Sequence, residues 1–179
     1  MSEKMNSADI VAAVRSAAED VFATMLNMPL RLGTPREETE RPPENLAGVV
    51  ALVGIAGSWT GTGRISCTAN LACRLAGALL MSEYTAINED VLDAVAEVAN
   101  MIIGNVKTIF EERLGPLGLS VPTVVFGRNY QTRTSGVVNW TVIPFECEDE
   151  IMEVRFCLMP SRTPSHTYGT PRPDVLQTA

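Results

Sequence analysis

The sequence predicts an α+β fold in which a mainly antiparallel sheet packs against amphipathic helices. Residues 8–28 and 88–113 place apolar side chains at helical spacing. Residues 46–69 read as two strands joined by a glycine-rich turn, and the chain beyond Pro122 reads as further strands around an acidic turn at 146–150. Helices therefore precede and interrupt the strands.

In the first helix Ile10, Val14, Ala17, Ala18, Val21, Phe22 and Met25 form one apolar stripe, and Pro29 ends it. Residues 33–46, rich in Pro and Glu with little to bury, predict an exposed loop. LAGVVALVGIAG and RISCTA supply the strands of a hairpin, with SWTGTG between them as its turn. That glycine run fits neither GxxxxGK[ST] nor GxGxxG, and no basic residue stands ready to hold a phosphate. Asn70 is the expected cap of a short helix whose Leu71, Leu75, Ala78 and Leu79 share one face. A long helix follows, with Asn88 as N-cap, Glu89 and Asp90 in its first turn and Gly115-Pro116 as its stop. A strand is expected after Pro122, and two longer ones on either side of residues 146–150. Residues 1–160 form one domain on this reading, and residues 161–179, with three prolines and little apolar content, form a flexible tail.

Composition narrows the function. With 179 residues, 46% of them hydrophobic, the chain can bury one substantial core. Its 14 basic against 21 acidic residues leave no basic stripe for a phosphate backbone, so nucleic acid is not an expected partner. Cys67, Cys73, Cys147 and Cys157 lack CxxC spacing, and His166, the one histidine, lies in the tail, so buried thiols in a reducing compartment are expected rather than a metal site or a Cys-His nucleophile. No apolar signal segment or membrane span is visible, which makes the cytoplasm the expected location.

Within the long helix the apolar residues Val91, Val95, Val98, Ile102, Val106 and Ile109 define a core side. Asp93, Glu97, Gly104, Lys107 and Glu111 fall within roughly 60° of Asn100 around the axis, at about 100° per residue. Glu97 and Asn100, three residues apart, can meet one partner together. A lone Glu or Asn on a helix is ordinarily a solvated residue. The functional alternative is attack by water on a phosphoryl group supplied by another protein: the carboxamide accepts a hydrogen bond from the water and holds it in line, while the carboxylate clamps a lysine of the partner. Asp93 reads equally as a second contact and as ordinary polar-face charge. Gly104 leaves room for a partner backbone, or for close packing inside the protein. Lys107 rims this face or pairs with Glu111.

Asp93, Glu97 and Asn100, the continuation through Ile102 and Gly104, and Pro122 twenty-two positions beyond Asn100 closely resemble the signature of the CheC/CheX/FliY family of bacterial chemotaxis phosphatases. The order of elements resembles it over roughly residues 8–159, and is most similar to the compact CheX branch. The resemblance implies a CheC-like fold and hydrolysis of the aspartyl phosphate on a CheY-like response regulator. It implies that Glu97 salt-bridges the regulator's lysine and that Asn100 positions the attacking water, with Asp93 in a supporting role. It implies no cofactor of the chain's own, the Mg²⁺ belonging to the partner receiver domain, and a homodimer joined through sheet edges. On the first helix Glu19 is followed by Phe22 where a second site would need Asn, so one site per chain is expected. The alternative reading keeps the fold without the chemistry, as an adaptor that binds a response regulator; the acidic 35–45 segment is a candidate contact for an activating adaptor.

Overall fold

The computed structural model describes residues 5–39, 46–130 and 138–161. The expected tail, with His166, and the greater part of the 35–45 segment lie outside them. Helix α1, Ser7–Val21, runs into a π-turn at Phe22–Leu26. Strands β1 (Arg31–Leu32), β2 (Arg36–Thr39), β3 (Leu46–Gly57) and β4 (Trp59–Cys67) follow, then helices α2 (Ala69–Leu80) and α3 (Glu89–Leu114). Strands β5 (Leu117–Leu119), β6 (Thr123–Tyr130), β7 (Asn139–Cys147) and β8 (Glu150–Pro160) complete the order. Every described pairing is antiparallel. The order across the sheet is β1-β7-β8-β4-β3-β5, with β2 also on β7 and β6 also on β3. Each outer edge is thus made of two successive short strands.

The three helices lie on one face of the sheet, where Val49, Ala51, Val53, Ile65, Ile143, Phe145, Val154 and Phe156 join the buried faces of the helices in one core. A second cluster, Val138, Trp140, Val142 and Cys157, lies on the other face.

Several sequence expectations need correction. Residues 36–39 are a strand rather than loop. Their ladder to β7 is reinforced by alternating charges: Arg36 meets Glu38 and Glu153, and Arg155 meets the same two carboxylates, at 2.6–3.0 Å. Tertiary pairing overrides a composition poor in strand formers. Thr68, not Asn70, caps α2 by accepting the Leu71 N–H at 3.1 Å, while the Asn70 amide donates to Glu150 at 2.7 Å. Met25 leaves the apolar stripe and is 51% exposed, because the extra residue of the π-turn rotates the helix and brings Leu26 inward. Ile109 is exposed as well; Phe110 fills the core position and packs edge-on against Phe156, with ring centroids 5.8 Å apart. Strand β5, too short to carry a periodic signal, was not expected.

The seat of α3 depends on a missing side chain. A Cβ at Gly63 on β4 would lie 2.3 Å from Ile103 Cδ1 and 2.8 Å from Ile103 Cγ1, and Ile103 is fully buried. Glycine there lets the helix press onto the sheet one residue before Gly104. Both helix ends are fixed: Asn88 accepts the Val91 N–H at 3.0 Å, and Ser58 donates to the Leu114 carbonyl at 2.5 Å. Arg113 pairs with Asp9 at 3.3 Å, which ties the end of α3 to the start of α1.

Candidate functional site on helix α3

Burial of Val91, Ala94, Val95, Val98, Ala99, Ile102, Ile103, Val106 and Phe110 turns the opposite side of α3 outward. Asp93 and Glu97 are exposed there and Asn100 is half-buried. None of the three has a side-chain hydrogen bond or ion pair to another described residue. At about 4.5 Å of rise and about 60° of rotation, Glu97 and Asn100 present a carboxylate and a carboxamide side by side. Their acceptor and donor capacity is left to water or to a partner.

Next to Asn100 lies a shallow, open groove of about 440 Å³. One wall is α3, through Asn100, Gly104, Lys107 and Thr108; the other is β5. Sequence reasoning reached the helix wall but not Leu117 and Leu119, because nothing in PLGLSVP announces a strand. Pro122 stands where the outer edge passes from β5 to β6, a place where a missing N–H costs the ladder nothing.

Gly104 is not demanded by internal packing. A Cβ there would lie 3.9 Å from Leu119 Cδ1, an ordinary contact. Gly104→Ala is therefore expected to stabilise the fold by up to about 1 kcal/mol through helix propensity alone. A rise in Tm measured by circular dichroism would support this, and a fall would show that the glycine is structurally required.

Glu111 holds the two walls together. It accepts the Leu117 N–H at 2.8 Å and pairs with Lys107 at 2.9 Å, and these bonds, the backbone one foremost, hold its carboxyl below its usual value of 4.5. A carboxylate depressed in the folded state contributes stability above its unfolded value, lost as pH falls through the lower folded one. From pH 4.5 downward the native chain should therefore lose stability that Glu111→Gln does not lose. Thermal unfolding stepped through that window checks it; parallel curves would remove the coupling.

In the π-turn that continues α1 the residue in the place of a second carboxamide, Phe22, is 1% exposed and part of the core, and Glu19 of α1 pairs with Arg15 at 2.8 Å. All four cysteines are free and buried, and burial pushes the Cys67 thiol up to about 12. Among the described residues, no group of three His, Cys, Asp or Glu side chains is arranged to hold a metal ion, and no helix is long and apolar enough to cross a membrane.

Comparison with known proteins places this architecture. The fold is that of the CheC-like proteins, as in a CheC-like superfamily protein from Shewanella, with a TM-score of 0.73 over 87% of this chain and 99% of that one at 24% identity. The family model "Chemotaxis phosphatase CheX" matches residues 49–146, and this chain belongs to that family. CheY-P phosphatase CheX of Thermotoga maritima is 26% identical over 132 residues, 73% of this chain and 84% of that protein. The crystal structure of the CheX-CheY-BeF3-Mg²⁺ complex from Borrelia burgdorferi matches with a TM-score of 0.71 at 25% identity, over 83% of this chain and 97% of the other.

Proposed function

We propose that the chain hydrolyses the aspartyl phosphate of a CheY-like response regulator, with Asn100 positioning the water and Glu97 gripping a lysine of the regulator. One observation carries this reading: a carboxylate and a carboxamide stand adjacent on a rigid, exposed helix face, without partners among the described residues. The Thermotoga relative is a CheY-P phosphatase, and the Borrelia relative binds CheY in its crystal, which supports the same partner class here.

In the proposed step Asn100 enters the receiver's phosphorylation pocket and orients a water in line with the phosphorus. The water oxygen forms a bond to phosphorus as the bond to the aspartyl oxygen breaks; aspartate leaves as carboxylate, and inorganic phosphate carries the added oxygen. The Mg²⁺ belongs to the receiver. Glu97 contributes a charge-assisted bond that fixes the approach. Asp93, one turn earlier, adds negative charge toward the same lysine, and Gly104 keeps the helix surface low beside Asn100.

A cytoplasmic location and a homodimer belong to the same reading. The closing strands β7 and β8 do not supply the free edge expected of them, since β1 and β2 cover β7. The outer strand β6, with Phe126 48% exposed, is the edge that supports a dimer.

The test is loss of aspartyl phosphate from phosphorylated CheY-like receivers with and without the purified chain. Acceleration supports the enzyme. Binding without acceleration on any receiver overturns it in favour of a response-regulator adaptor.

A further inference from the structure

The polar face of α3 carries an ordered charge pattern. Asp93 and Glu97 make its N-terminal half acidic, Asn100 is neutral, Gly104 is bare, and Lys107 lies two turns beyond Asn100. The groove begins at Asn100 and ends at Lys107 and Thr108, with Leu117 and Leu119 as its apolar side. Asn100 is therefore both a member of the proposed reactive pair and the first residue of the groove. A receiver seated on Glu97 and Asn100 would therefore meet the groove at its Asn100 end.

Lys107 is fitted for a role at the far end. Glu111 engages one donor of its ammonium at 2.9 Å and is itself tied to the Leu117 N–H, so the lysine is steered along the groove wall with donors to spare. The groove thus offers an apolar side, a gap in the helix surface at Gly104, and a cation 26% exposed at its end.

We infer that this groove is a second docking contact for the same receiver, taking a loop beside its phosphorylation pocket that carries an apolar side chain for Leu119 and a carboxylate for Lys107. The inference rests on the phosphatase reading and deepens it. Glu97 and Asn100 would address the phosphoryl site itself, whereas the groove adds a contact beside it. Lys107 stays ion-paired with Glu111, so it offers a docked loop hydrogen-bond donors rather than net positive charge. Lys107 and Leu119 are accordingly docking residues, and Glu111 is a positioning residue that acts through Lys107.

The experiment uses the full chain and a CheY-like receiver phosphorylated with phosphoramidate, with initial rates measured against receiver concentration. Lys107→Ala removes the cation. Thr108→Trp, at an exposed position whose hydroxyl bonds only the Gly104 carbonyl of its own helix at 3.1 Å, overhangs the groove without touching Glu97 or Asn100. Both variants should raise KM about tenfold with the saturating rate within about twofold of wild type, and Lys107→Arg should restore most of the loss. Circular dichroism confirms that each is folded. An active wild type with both variants superimposed on it overturns the groove and leaves the phosphatase standing. A fall in the saturating rate at unchanged KM also overturns it, placing the effect in the chemistry instead. Absence of hydrolysis by wild type removes the phosphatase reading, and the groove with it.

Discussion

Replacing Asn100 by alanine should lower the rate of receiver dephosphorylation by about 10²–10³-fold, the range found when one pre-positioned polar group is removed from a reacting centre. The loss should fall on the saturating rate, because in the proposed step the carboxamide serves the water rather than affinity. Glu97→Ala should behave differently. A charge-assisted hydrogen bond contributes about 1.5–3 kcal/mol, so kcat/KM should drop about 10- to 150-fold with a marked rise in KM. Neither side chain has an internal partner among the described residues, and Glu97 is exposed, so thermal unfolding should barely change in either variant. Single-turnover decay of the phosphorylated receiver, read beside unfolding curves, separates the two roles. Activity of N100A within a few-fold of wild type would remove Asn100 from the mechanism.

The second large effect is expected far from the reacting atoms. Gly63→Ala places a methyl group 2.3 Å from Ile103 Cδ1 and 2.8 Å from its Cγ1, inside a core where Ile103 has no exposed surface. Overpacking of this kind costs about 1–3 kcal/mol. At this chain length each kcal/mol lowers Tm by about 2–4 °C. The displacement should fall on α3 itself, since Ile103 precedes Gly104 and follows Asn100 by three residues. G63A should therefore lose dephosphorylation activity beyond what its unfolded fraction explains. Ile103→Val in the G63A background, which shortens the obstructing branch, should recover part of both. If G63A melts like wild type, the helix is not held at the distance described.

The same long helix explains why the outward placement of the candidate residues could be read from the sequence. Twenty-six residues with a buried stripe fix the phase of a helix, and the phase alone puts Asp93, Glu97, Asn100 and Gly104 on the outward side. The pair β7 and β8 was legible because turn residues separate strand-length apolar runs, whereas the hairpin of β3 and β4 was legible only in outline: residues 59–63 of the expected SWTGTG turn belong to β4, paired with β3 and β8, and only Ser58 lies between the strands. What stayed hidden depends on distant partners. Strand β2 consists of Arg, Glu, Glu and Thr, and owes its conformation to β7 and to Arg155 and Glu153 on β8. Strand β5 is three residues long, and its place beside Asn100 follows from the register with Ile55 and from Glu111, neither of which local sequence encodes. The groove could not have been foreseen without it. The π-turn was hidden for another reason: one inserted residue leaves composition unchanged and reassigns Met25 and Leu26 to opposite environments.

The four buried thiols make the protein its own unfolding probe. Cys67, Cys73, Cys147 and Cys157 lie on β4, α2, β7 and β8, and a thiol held near 12, as Cys67 is, reacts slowly with alkylating reagents while the core is closed. The rate at which each acquires a label measures how often its own element opens, so label located at each of the four cysteines by fragment-ion mass spectrometry gives four local stabilities. The order of labelling would tell whether the scaffold beneath Glu97 and Asn100 melts as one body or sheds its smaller helix first.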